Sequence, residues 1–206
     1  MSTPPQLFDR RARAQRRDRA WRAGLFSEAA YLHDEAISTM IDRLSVVTRA
    51  FPDAALFGAA DGRYRAAFEG RFGIERLRAF ETAPAMARAC GAEAGDLDPT
   101  PLLESSADLI VAGLELHTID DPVGALIQAR RALRPDGLFI GCLFGGDSLW
   151  ELREALTAAE AEVSGGLRPR VAPMTDIRSA GALLPQAVAA EQTADEQPVR
   201  PQRPTR

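Results

Sequence analysis

Residues 106–147, SADLIVAGLELHTIDDPVGALIQARRALRPDGLFIGCLFGGD, constrain the fold more than any other stretch. Two short runs in it, Asp108-Leu109-Ile110-Val111-Ala112-Gly113 and Phe139-Ile140-Gly141-Cys142-Leu143-Phe144, are apolar without polar alternation. Strands buried on both faces have this pattern, which is the condition of a parallel sheet. Between them, Val123, Leu126, Ile127 and Leu133 fall on one stripe at helical spacing. Asp121 is placed to cap that helix, with Pro122 at its first position. Arg134-Pro135-Asp136-Gly137 predicts the turn that ends the helix and starts the next strand. Strand, helix, strand at this spacing is a right-handed crossover, so the fold class is α/β.

A chain of 206 residues defaults to one domain with a real core. A net charge of −4 argues against a nucleic-acid partner. Every basic side chain is Arg and none is Lys, as a GC-rich genome would favour. No stretch has the run of about 20 apolar residues that spans a bilayer. Cys90 and Cys142 are read as buried or incidental thiols of a reducing, cytoplasmic setting, with no metal site.

In chain order, residues 2–24 are Arg-rich, with Asp9 and Asp18 arguing against a transit peptide. The preferred reading is a solvated helix face, with an anion-binding or partner-binding patch as the alternative. Residues 34–49 predict an amphipathic helix whose Ile37, Met40, Ile41, Leu44 and Val47 face the core. A first strand follows over 54–58, then the glycine turn Gly58-Ala59-Ala60-Asp61-Gly62 and a helix over 63–72. Such a turn lets backbone N–H groups approach a ligand closely. Residues 74–80 predict a second strand ending at Glu81, where a carboxylate can accept from both hydroxyls of a ribose. A helix over 84–90, a short third strand over 92–95, Asp96-Leu97 and a loop over 98–106 lead into the central unit. His117 lies past the fourth strand, where open α/β sheets place their chemistry. It either lines the substrate side, taking a proton or orienting the acceptor, or packs the loop ahead of Asp120 and Asp121. A last amphipathic helix spans 147–163 with Leu149, Leu152, Leu156, Ala159 and Val163 on one face. A loop over 168–175, a short helix over 176–184 and a polar, Pro-containing tail that predicts disorder complete the chain.

Ala107-Asp108-Leu109-Ile110, residues 114–121 and Ala132-Leu133-Arg134-Pro135-Asp136-Gly137 resemble the second half of class I S-adenosylmethionine-dependent methyltransferases. The string Phe144-Gly145-Gly146-Asp147-Ser148-Leu149-Trp150-Glu151-Leu152-Arg153 narrows the resemblance. It is similar to the methyltransferase-like family of the mitochondrial complex I assembly factor 5, with the biotin-synthesis malonyl-carrier-protein methyltransferases as a neighbouring branch. The resemblance implies a Rossmann-like, mostly parallel sheet flanked by helices, here without the family's last strands, so that the fifth strand is an exposed edge. It divides the chain into an N-terminal helical segment (1–50), a methyltransferase-like domain (51–184) and a tail (185–206).

The resemblance also implies S-adenosylmethionine as cofactor, with Gly58, Ala60 and Gly62 along its methionine end and Glu81 on its ribose. Asp96 falls on the adenine amino group, Leu97 on the ring face and His117 in the catalytic position. Leu56 stands where the family has an acid, and Ala60 where it has the middle glycine. Asp61 is assigned to the cofactor's amino group instead. A missing charge-assisted hydrogen bond costs about 1.5–3 kcal/mol, roughly 10- to 100-fold in affinity, which weakens a micromolar site without abolishing it. Two functions follow as expectations. One is methyl transfer to a small molecule or a protein side chain, with a target in respiratory complex I implied by the family. The other is a catalytically silent assembly module that docks a partner on the exposed sheet edge.

Overall fold

A computed structural model describes residues 6–166 together with 171, 174, 175 and 179. The elements are α1 (Arg10–Arg22), α2 (Leu25–Glu28), α3 (Tyr31–Ser45), β1 (Asp53–Phe57), α4 (Arg63–Phe68), β2 (Arg76–Glu81), α5 (Pro84–Ala89) and β3 (Glu93–Ala94). They continue with β4 (Ala107–Gly113), a 3-10 turn (Leu116–Thr118), α6 (Pro122–Ala132), β5 (Leu133–Cys142) and α7 (Trp150–Ser164). The helix expected over 176–184 and the tail beyond it lie outside the described residues, Ser179 aside.

The strands form one parallel sheet in the order β3-β2-β1-β4-β5. Alternate residues divide between two cores, as strand geometry requires. Leu56, Leu109, Val111 and Ile140 face α3 and α4, through Ile37, Met40, Leu44, Tyr64 and Phe68. Phe57, Ile110, Ala112 and Phe139 face α6, through Ala125, Leu126 and Ala129. This double cover is why the strands read as unbroken apolar runs. Each fully buried Leu, Ile or Phe in them contributes about 1.5–3 kcal/mol. The chain order reverses between β1 and β4, and the crevice at that switch point opens at the carboxyl ends of the strands.

Asp121 caps α6 as expected, its Oδ1 accepting from the Gly124 N–H at 2.8 Å. The stripe on that helix differs: Leu126 is buried but Ile127 is 38% exposed, and Ala125, Ala129 and Ala132 make the close contact. Small side chains let the helix axis approach the sheet, which rotates the contact line away from the larger residues. The turn expected at 134–137 is absorbed into β5 as a bulge. Ala107 pairs with Leu133 and Leu109 with Leu138, and Asp136 takes a positive φ to accommodate the extra residues. Arg134 stays at the sheet because its guanidinium bonds Asp53 and Asp108, both at 2.8 Å.

Helix α4 stops at Phe68 instead of Phe72, since Glu69 turns extended and Gly70 takes φ +70. Helix α7 forms, but the face expected in the core is not there: Leu149, Leu152 and Val163 are exposed, and Glu160 is the buried residue of this helix among those described. Helix α1 forms where the Arg-rich segment predicts a helix, but not as a solvated rod. Two of its arginines enter the crevice.

Candidate functional site

Glu81 ends β2 and is fully buried. Its carboxylate accepts from the Ala60 N–H at 2.9 Å, the Ala83 N–H at 3.1 Å and the Thr82 hydroxyl at 3.2 Å. Arg17 adds a bidentate pair, Nε to Oε1 at 2.9 Å and Nη2 to Oε2 at 2.7 Å. The first three donors come from the loops after β1 and β2, so local chain geometry builds that part of the cradle. Gly58 and Gly62, at φ +75 and +93, and Ala60 at φ +53 give the β1–α4 loop the curl that aims the Ala60 N–H at Glu81. A Cβ on Gly58 would lie 2.5 Å from the Gly113 carbonyl oxygen and 2.6 Å from Glu115 Cγ. This loop therefore packs directly against the end of β4.

Asp96 follows β3, accepts from the Leu97 N–H at 2.7 Å and is held by Arg13. Leu97 is fully buried in the core beneath α6 and exposes no surface to a ligand ring. Asp61 is engaged by Arg63, whose Nε and Nη2 each stand 2.7 Å from it and hold its carboxyl below the usual range. Glu81, Asp96 and the glycine loop thus share the carboxyl edge of the sheet with His117, while Asp61 is tied to α4.

Three residues that sequence reasoning did not single out complete the site: Arg13, Arg17 and Glu115. Asp9 caps α1, and the helix is strapped across the crevice by polar contacts, with none of its own residues fully buried. Asp18 accepts from the Ala85 and Met86 N–H groups at 3.0 and 3.2 Å. Arg10 bonds Asp98 at 2.9 Å, and Arg13 bonds the Thr118 carbonyl at 3.1 Å. Asp120 accepts from the Leu7 and Phe8 N–H groups at 2.7 and 3.0 Å. Every loop from β2, β3 and β4 is touched.

Glu115 lies just past β4 and is 3% exposed. The nearest cationic nitrogens are Arg17 Nη2 at 3.7 Å and Arg13 Nη1 at 3.8 Å, beyond hydrogen-bond range. Burial raises its carboxyl to about 7; the two guanidiniums oppose this, and Glu81 and Asp96 add to it. Three carboxylates (Glu81, Asp96, Glu115) therefore meet two guanidiniums (Arg13, Arg17). The only sequence signal for Glu115 is a charge between Leu114 and Leu116 directly after a buried strand.

A cavity of about 390 Å³ opens beside this cluster, walled by Arg13, Arg17, Phe26, His33, Glu115 and His117, with Phe144 and Leu114. His117 Nδ1 accepts from the Phe144 N–H at a long 3.5 Å, and the rings pack 4.6 Å apart. Burial, then Arg13 and Arg17, push it down to about 4, so the ring is neutral at pH 7. With Nδ1 accepting, its proton sits on Nε2. His33, whose Nδ1 lies 3.1 Å from the Tyr64 hydroxyl, is likewise held neutral, down to about 4, by burial and then by Arg17 and Arg63.

The residues present fit an adenosyl cofactor in kind: a carboxylate anchored by backbone N–H groups at the end of β2, an acid after β3, and a curled glycine loop. They do not fit it in occupancy. Arg17 uses the two Glu81 oxygens that a ribose would need, so a nucleoside reaches Glu81 only when Arg17 swings away.

Comparison with known proteins agrees with this fold. Residues 56–141 match the family described as a methyltransferase domain. A chain of the Haloferax volcanii complex between the Trm112 methyltransferase activator and a methyltransferase superposes with a TM-score of 0.57 at 18% identity, covering 71% of this chain and 73% of that one. Residues 56–141 thus carry a methyltransferase domain, on the Rossmann-like fold of the class I methyltransferases. The chain is 35% identical to the zebrafish (Danio rerio) arginine-hydroxylase NDUFAF5, mitochondrial, over 88% of its own length and 58% of that protein. It is 28% identical to the Xylella fastidiosa malonyl-[acyl-carrier protein] O-methyltransferase, over 77% and 58%. The chain thus spans under three fifths of the length of these relatives.

Proposed function

We propose that this chain binds S-adenosylmethionine across the carboxyl ends of β1, β2 and β4 and transfers its methyl group to a small molecule or a protein side chain. The observation that carries this reading is the Glu81 cradle: a sealed carboxylate held by the Ala60 and Ala83 N–H groups at the end of β2, within a methyltransferase domain. The cofactor supplies a methyl group on a sulfonium centre, which needs in-line positioning more than a strong base. Glu81 accepts the ribose hydroxyls once Arg17 has left. The loop from Gly58 to Gly62 offers its backbone to the methionine end. His117, neutral with its proton on Nε2, orients an acceptor by donating a hydrogen bond. Phe26 and Phe144 keep water off the acceptor side. One relative is named as an arginine-hydroxylase and another as a methyltransferase of a malonyl group on a carrier protein, and the reading extends to a protein-borne acceptor.

Titration calorimetry with S-adenosylmethionine, together with native mass spectrometry for a retained adenosyl ligand, tests the reading. Binding in the micromolar range is expected, and no binding at millimolar ligand overturns it. A second reading, a catalytically silent assembly module, is favoured by one observation: Arg17 holds Glu81 while Leu56 stands in the family's acidic position. A partner that co-purifies stably while no cofactor binds would select it.

A further inference from the structure

One helix holds both of the carboxylates that a nucleoside would use. Arg13 and Arg17 stand one turn apart on the same face of α1. Arg13 pairs with Asp96 after β3, and Arg17 with Glu81 at the end of β2. Both arginines line the cavity of about 390 Å³, whereas neither acid does, so α1 stands between that cavity and the two carboxylates. Further ties of α1 run to the surrounding loops: Arg10 to Asp98, Arg13 to the Thr118 carbonyl, and Asp18 to the Ala85 and Met86 N–H groups. No residue of the helix is buried, so its release gives up no sealed apolar side chain of its own. Beyond its C-terminal end Gly24 takes φ +70 with open space around it, which leaves room for the chain to pivot there.

We propose that α1 is an autoinhibitory strap, an internal competitor that occupies Glu81 and Asp96 in place of a nucleoside and leaves both together when one binds. This rests on the function proposed above and goes beyond the departure of Arg17 alone. Arg17 takes both Glu81 oxygens in its bidentate pair. Glu81 is fully buried, and a buried carboxylate stripped of its partner is costly. The site therefore has two satisfied states, guanidiniums on the acids or hydroxyls on them, and no stable one between. Because Arg13 and Arg17 are fixed to one helix, the motion of α1 that frees Glu81 frees Asp96 as well. Such competition is reciprocal: the nucleoside loosens α1 by the same factor by which α1 weakens the nucleoside. The apparent affinity is the intrinsic one scaled down by the fraction of molecules with α1 released. A lid that closes over bound cofactor has the opposite sign, since the ligand would hold it down.

Limited trypsin digestion and calorimetry on the full chain test this, with methylthioadenosine (the nucleoside of S-adenosylmethionine without its amino-acid group) as the probe. In wild type the probe is expected to speed cleavage at the arginines of α1 severalfold, a readout that needs no variant. Calorimetry then compares wild type with Asp18→Ala and Arg10→Ala, which untie α1 at residues that bond neither Glu81 nor Asp96. Asp18→Ala is expected to bind methylthioadenosine about tenfold more tightly than wild type, and Arg10→Ala, which loses an exposed pair, about twofold. An unchanged cleavage pattern outside residues 10–22 certifies that the variants are folded. Binding by the variants with none by wild type upholds the strap in its extreme form. Protection of α1 by the nucleoside overturns the proposal, as do equal affinities across the three proteins, and both results leave the cofactor reading standing. No binding to any of the three at millimolar probe overturns the strap and the cofactor reading together.

Discussion

The two ends of the sheet carry the same chemistry in opposite settings. At the amino end, Asp53 and Asp108 meet Arg76 and Arg134, two acids with two guanidiniums. Arg134 bonds both carboxylates at 2.8 Å, and the Asp53 N–H donates to Asp108 at 2.9 Å. Arg76 is 75% exposed, and its hydrogen bond, with help from Arg134, holds Asp53 down to about 2. That network is matched and hydrogen-bonded, with both guanidiniums reaching solvent although Asp108 is buried. At the carboxyl end three acids meet two guanidiniums in a buried cluster, and the odd acid, Glu115, is driven up to about 7. Exposed matched pairs contribute little to stability, whereas a buried mismatch persists only where something else makes use of it. The contrast marks one end as a surface tie and the other as a site.

The largest expected effect breaks that contrast directly. Arg17→Met leaves Glu81 buried against Ala60 and Ala83 with its charge unpaired, a loss of about 3–5 kcal/mol in urea unfolding. Arg76→Met, at the other end, leaves the midpoint nearly unmoved, because Arg76 is exposed and Asp53 keeps Arg134; equal losses would erase the distinction. Because Arg17 also closes the slot, the same Met variant, although less stable, is expected to bind methylthioadenosine more tightly than wild type.

Next comes Gly58→Ala, whose Cβ would lie 2.5 Å from the Gly113 carbonyl oxygen at φ +75. Strain plus collision predicts a loss of about 2–4 kcal/mol by thermal melting. Gly24→Ala, at φ +70 with nothing within 4 Å, isolates the backbone part at about 1 kcal/mol.

Glu115→Gln has a pH signature. A carboxyl raised in the folded state from 4.5 to about 7 contributes stability that is full below 4.5 and lost as pH rises through 7. The Gln variant escapes that loss, so it is expected to be more stable than wild type at pH 8, by about 1–3 kcal/mol, and to converge with it near pH 4. His33 and His117 act with the opposite sign. Their neutral folded forms hold stability above 6.5 that drains as pH falls toward 4, and removing either by His→Gln flattens the acid limb of the curve.

The smallest effect is ionic strength. Raising salt shortens the Debye length from about 10 Å at 0.1 M to about 3 Å at 1 M. Since ion pairs and hydrogen bonds hold much of α1 in place, protease cleavage within residues 10–22 is expected to accelerate with salt, while the core midpoint stays put.

Much of the scaffold was legible in the chain itself. Unbroken apolar runs at 108–113 and 139–144 announced a sheet covered on both faces, and Asp121-Pro122 announced the start of α6. Both are local signals, decided by residues within a turn or two. Glu81 was legible for the same reason, as an acid at the end of a recognisable strand. The contact face of α6 was not, because alanines outcompete Ile127 only once the distance from helix to sheet is set. Nor was the exposure of α7, since a helical stripe of leucines carries no information about whether anything lies opposite it.

Sequence by itself determined the strands, their parallel pairing and the place of a carboxylate on the β2 rim, because those follow from short-range pattern and the handedness of the crossover. Only the tertiary structure decided which of seven arginines in an evenly charged segment would turn inward. Arg17 meets Glu81 across 64 residues of chain, and no local periodicity encodes a partner that distant. It likewise decided that Glu115, a lone acid between two leucines, would be sealed beside a cavity, near two guanidiniums but out of hydrogen-bond range of both. That outcome depends on how helix, loop and strand end close over one another.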